Sequence, residues 1–142
     1  MKASSLHELW ASPDNSRLTS KQFSFRLPTH VAAKIAALCE MFPNKNRTQV
    51  VADLLTSALD ELERSLPGAL GERADPKTQH LIDEHEGTQG EAYHRLGGLR
   101  GQFQQLANRH YREIEHELGN ESPPQLFPDS YLTKSDLEKG KP

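Results

Sequence analysis

The chain has one cysteine, Cys39, in 142 residues. That excludes an intrachain disulfide and leaves no cysteine pair to build a metal site. Long apolar runs are also missing: none approaches the roughly 18–20 residues needed to span a bilayer. Lys2 is not followed by a hydrophobic signal core, so a soluble, cytoplasmic protein without a membrane partner is expected. Hydrophobic residues make up 35% and aromatics 6%, too few for densely packed core throughout. There is no glycine-rich phosphate loop, no nucleophile motif and no carboxylate pair in an apolar setting, so neither an enzyme nor a cofactor is expected. The seven histidines do not repair this. His80 and His85 are five apart and His110 and His116 six apart, neither being the i, i+4 spacing that puts two imidazoles on one helical face, so no metal is expected.

Acidic charge is in excess overall, with a net of −3, but it is unevenly placed. Residues 1–66 carry 8 Lys+Arg against 7 Asp+Glu, while residues 67–142 carry 9 against 13. Residues 17–47 hold Arg17, Lys21, Arg26, Lys34, Lys45 and Arg47 against Glu40 alone, a net of +5. A local basic patch on an acidic chain points to a polyanionic partner more usefully than total charge does.

Strand-like sequence is scarce, with one exception at "KQFSFRLPTHV", residues 21–31. Over 21–27, Phe23, Phe25 and Leu27 alternate with Gln22, Ser24 and Arg26, the period of a strand with one apolar face. Pro28 ends it and Thr29 reads as a helix N-cap. A helix is expected over 30–42, with Val31, Ile35, Leu38 and Phe42 in one stripe, stopped by Pro43. Asn46 and Gln49 read as a capping box for a second helix over 47–65, whose broad apolar face includes Leu54, Leu55, Leu59 and Leu62. Pro67-Gly68 stops that helix.

A lone strand cannot satisfy its backbone. Two copies solve the problem: the strands pair antiparallel across a two-fold axis and four helices close over the inward Phe23, Phe25 and Leu27. The outward face then shows Gln22, Ser24 and Arg26 of both copies. A two-stranded ribbon fits the major groove, where arginine grips guanine, glutamine pairs with adenine, and serine donates or accepts. The start of the second helix, Asn46, Arg47 and Thr48 with Lys45 and, from the strand, Lys21, offers backbone N–H groups and cations to phosphate.

"QFSFRLP", a helix, a polar turn and "NRTQVVADLLTSAL" together resemble the ribbon-helix-helix family of DNA-binding proteins over about residues 20–66. The resemblance implies Gln22, Ser24 and Arg26 as base readers and Asn46, Arg47 and Thr48 as the phosphate-contacting helix start. Asn44 stands where the family often has glycine in the inter-helix turn, and Ser24 where it often has Asn or Thr.

The expected organisation is a flexible arm over 1–20, the ribbon-helix-helix domain over 21–66, a linker over 67–90, a helix over 91–118 for oligomerisation or partner binding, and a disordered tail over 119–142. The expected fold class is mostly α: a ribbon-helix-helix homodimer with a helical, partly disordered extension. Gly97, Gly98 and Gly101 each weaken the start of the 91–118 helix by about 1 kcal/mol relative to alanine. The expected function is a sequence-specific transcriptional regulator, a repressor, that binds double-stranded DNA. The alternative is the antitoxin of a toxin–antitoxin pair, with the acidic C-terminal part holding the toxin.

Overall fold

The computed structural model describes residue 3 and residues 6–10, 22–86 and 90–140. The chain divides into two compact units, residues 1–63 and 64–142.

In unit 1 the two expected helices form, α2 over Thr29–Met41 and α3 over Arg47–Ser65. They follow α1, a single turn over Leu6–Leu9. Pro28 rather than Thr29 is the N-cap of α2, and its carbonyl accepts from Val31 and Ala32 (both 3.0 Å). Pro43 has no N–H to continue α2, and the turn closes with the Lys45 N–H donating to the Phe42 carbonyl (3.1 Å). The capping box of α3 is complete: Gln49 N–H donates to Asn46 Oδ1 (2.8 Å) and Asn46 N–H to Gln49 Oε1 (3.1 Å).

The core of unit 1 is Leu6, Trp10 and Val50, with Leu38, Cys39, Phe42 and Leu54 packed against it. The expected free arm over 1–20 is therefore corrected for residues 6–10, which are anchored because Leu6 and Trp10 fill the space against α2 and α3; residues 11–21 lie outside the described residues.

The expected strand is corrected as well. Residues 22–28 are exposed and in neither strand nor helix. A strand is defined by its partner, and no strand lies among the described residues of unit 1.

Unit 2 overturns the expected fold class. It contains a three-stranded antiparallel sheet in the order β1-β2-β3, formed by Gly68–Arg73, His94–Gly97 and Tyr131–Leu132. The chain is thus not a mostly α ribbon-helix-helix protein with a helical, partly disordered extension. β1 meets β2 at Ala69↔Gly97 and Leu70↔Leu96, then slips before Arg73↔His94. β2 meets β3 at His94↔Leu132 and Arg95↔Tyr131.

The expected linker over 67–90 is instead β1 followed by α4, Pro76–Glu86. Asp75 caps α4 by accepting from the Thr78 N–H (2.7 Å), and Pro76 occupies the first helical position, where a missing N–H costs nothing. The expected helix over 91–118 is shortened to α5, Gly98–Glu117, because 94–97 pairs as β2.

The expected disordered tail is also folded over 120–140. Asn108 on α5 uses both ends of its amide on Phe127, with Nδ2 donating to the carbonyl (3.0 Å) and Oδ1 accepting from the N–H (2.7 Å). Phe127 sits edge-on to Phe103, with centroids 6.0 Å apart. A second capping box, Thr133 with Asp136, opens α6, Lys134–Glu138. Gln79 on α4 acts like Asn108: Oε1 accepts from the Tyr93 N–H (2.8 Å) and Nε2 donates to the Glu91 carbonyl (3.0 Å).

Candidate nucleic-acid interface

The 22–28 segment carries two sets of side chains. Gln22, Ser24 and Arg26 are exposed. Phe23, Phe25 and Leu27 are 65%, 72% and 49% exposed, far from what large apolar groups reach in a finished core. Phe23 and Phe25 lie parallel, with centroids 6.3 Å apart and planes at 1°, so these two rings stand side by side although no strand is formed.

The same incompleteness continues on the helices. No residue of α2 is fully buried, and Met41 is 66% exposed. α3 carries two separate faces. Val50, Asp53 and Ser57, at i, i+3 and i+7, are buried. Leu55, Leu59 and Leu62, at i, i+4 and i+7 on another side of the helix, are each about half exposed.

At the start of α3, Asn46, Arg47 and Thr48 are exposed. The capping box engages the amides of Asn46 and Gln49, which leaves those of Arg47 and Thr48 for an anion. Lys45 does not join them. It is 7% exposed, unlike its neighbours Asn46, Arg47 and Thr48. Lys21, the other expected phosphate contact, lies outside the described residues.

Asp53 and the contacts of Trp10 were not anticipated by sequence reasoning. Trp10 donates its indole N–H to Asp53 Oδ2 (2.6 Å), its carbonyl accepts from Asn44 Nδ2 (3.2 Å), and its ring packs edge-on to Phe42. The one available signal was the Leu6/Trp10 spacing of i, i+4, which places both on one side of a helical turn.

In unit 2 a depression of about 560 Å³ is lined by Arg73, Ala74, Pro76, Gln79, His80 and Asp83, and the Gln79 amide there is already committed to holding the backbone of 91–93. Among the described residues no group of three or more His, Cys, Asp or Glu could hold a metal. His80 and His110 stand instead beside Glu84 (3.8 Å) and Glu113 (3.6 Å) on exposed helix surface. Among the described residues no helix is long and apolar enough to cross a membrane.

No protein-family model matches the chain, and no match was found among curated proteins or solved structures.

Proposed function

We propose that the protein is a sequence-specific transcriptional regulator that binds double-stranded DNA as a homodimer through unit 1. The observation that carries the reading is the alternation in 22–27, where three large apolar side chains are left uncovered beside three side chains suited to base edges. A second copy covering the Phe23–Phe25–Leu27 side turns Gln22, Ser24 and Arg26 of both copies outward.

The area is sufficient. With about 150–250 Å² for a whole aromatic side chain and somewhat less for leucine or methionine, the exposed parts of these three residues, Met41, Leu55, Leu59 and Leu62 come to roughly 700 Å² per copy. A standard interface buries about 800 Å² per partner. Arg26 then serves guanine O6/N7 and Gln22 adenine N6/N7, with Ser24 at closer range. Arg47 and the amides of Arg47 and Thr48 fix the register by holding phosphate, which carries no base information. As a repressor, such a dimer acts by occupying its operator.

The antitoxin reading assigned the toxin to the acidic, partly disordered C-terminal part, of which residues 120–140 are tied to α5 and capped at α6.

The test is selection of bound duplexes from a random pool by the full chain and by Arg26→Ala. The wild type is expected to enrich a two-fold-symmetric site. Arg26→Ala is expected to lose roughly 1–3 kcal/mol of discrimination at one base pair per half-site. A pool that stays random, or equally sharp selection by the variant, overturns the reading.

A further inference from the structure

The turn that carries the proposed phosphate contact is braced by a segment more than thirty residues earlier in the chain. Trp10 touches the turn and the helices on either side of it. Its ring packs against Phe42, just before the turn, with centroids 5.2 Å apart and planes at 62°. Its carbonyl accepts from Asn44 Nδ2, inside the turn, at 3.2 Å. Its indole N–H donates to Asp53 Oδ2, beyond the turn on α3, at 2.6 Å. Trp10 is 3% exposed and Leu6, one helical turn earlier, is 1% exposed, so the brace is seated in the core.

We infer that α1 with Trp10 is a positioning element for phosphate binding: its docking sets the 43–46 turn, and with it the guanidinium and amides at Arg47 and Thr48, in the binding geometry before DNA arrives. The inference rests on the DNA-binding reading of unit 1 and adds a means of control to it. With residues 6–10 docked, the start of α3 is fixed on both sides. With them displaced, the turn loses the tie from Asn44 to the Trp10 carbonyl and keeps local bonds such as its capping box and the Lys45-to-Phe42 bond. Donors that must be ordered at the moment of binding give up part of their affinity to that ordering. Because phosphate contacts position rather than specify, the loss falls on every DNA sequence alike. Whatever competes for Leu6 and Trp10 would therefore lower DNA affinity without touching the base readers.

The experiment uses the full chain and duplexes of selected and scrambled sequence. Trp10 is the only tryptophan, so its emission reports docking directly. Leu6→Asp should shift that emission to the red and weaken binding to both duplexes by roughly the same factor of 5–10, about what one lost hydrogen bond per half-site gives. Asn44→Ala, at an exposed position, keeps the fold and removes only the tie to the Trp10 carbonyl, with an expected loss of roughly 3- to 10-fold.

A double-mutant cycle separates positioning from general stability: Arg47→Ala should cost less in the Asn44→Ala background than in the wild type. Additive effects, or unchanged DNA affinity in Asn44→Ala or in a folded Leu6→Asp protein with red-shifted emission, overturn the inference. A wild-type chain that binds neither duplex refutes the DNA reading itself, which is a different outcome.

Discussion

Gly101→Ala separates local propensity from packing in unit 2. In an unconstrained helix the change is favourable by about 1 kcal/mol, since alanine gives up less backbone freedom than glycine. Position 101 is constrained. The chain reverses from β2 into α5 through Gly97 and Gly98, and Gly98 has φ +70°, a conformation that favours glycine. The reversal lays the first turn of α5 on the end of β2, and Gly101 is buried there. A Cβ at 101 would fall on the Leu96 carbonyl oxygen and stand 2.7 Å from its carbonyl carbon. Leu96 cannot yield easily, because its own N–H is bonded to Ser130 (3.0 Å) and it is paired with Leu70.

Overpacking against rigid neighbours costs about 1–3 kcal/mol, and more when backbone must move. We therefore expect the clash to win, with a net loss of roughly 2 kcal/mol. For a unit of this size each kcal/mol moves Tm by about 4–8 °C, so unit 2 should melt about 8–16 °C lower. Spectroscopy distinguishes the units: Tyr93, Tyr111 and Tyr131 all lie in unit 2 and the sole tryptophan in unit 1. The tyrosine transition should fall while the Trp10 transition stays in place. A Gly101→Ala protein as stable as the wild type, or more so, would refute the close approach of α5 to β2.

Phe25→Ala should leave the stability of a dilute monomer nearly unchanged, since the ring is 72% exposed there, yet weaken self-association at sedimentation equilibrium; undiminished association would remove this face from the interface. Arg47→Ala should weaken binding to all duplexes and lower the log–log salt slope by about 0.9 for each lost phosphate contact; a sequence-selective loss would mean that Arg47 touches bases. The Thr78 backbone N–H, and next its hydroxyl, hold the Asp75 carboxyl below the ordinary range, with a smaller push from Arg95. A depressed folded pKa gives stability that is present above the unfolded value, near pH 4, and lost as pH falls through the folded one. Asp75→Asn should flatten that part of the acid limb of unit 2, and an unaltered limb would show that the cap does not titrate with folding.

Unit 1 was largely legible because its signals are local. Pro28, Pro43, the Asn46/Gln49 box and a 3.6-residue apolar period lie within a few residues of the elements they define. Strand pairing at 21–27 was not decidable from alternation alone: the period fixes which side chains share a face, and a strand needs a partner. Unit 2 was misread because its signals are distant or resemble breakers. "GALGER" reads as part of a linker by its glycines, yet Gly71 and Gly97 are there because a Cβ on either would meet the other strand at under 3 Å. Asn108 and Gln79 pin segments 19 and 14 residues away, contacts that leave no periodicity. Two local signals were overlooked: Asp75-Pro76, an N-cap followed by proline at the first helical position, and Thr133-x-x-Asp136, a capping box. At the candidate site the exposed polar positions were legible, whereas the burial of Lys45 and the contacts of Trp10 depend on tertiary packing.

The division into two units also has a consequence in time. The division falls after Glu63, 79 residues before Pro142. Domains are generally completed in order as the ribosome makes them, at about 5–20 residues per second, so unit 1 can be folded for roughly 4–16 s before synthesis reaches Pro142. Through that interval Phe23, Phe25 and Leu27 are uncovered on a tethered nascent chain, and the nearest identical surfaces belong to neighbouring chains on the same message. The patch is then either an aggregation hazard on the polysome or a means for each chain to find its mate before it is released.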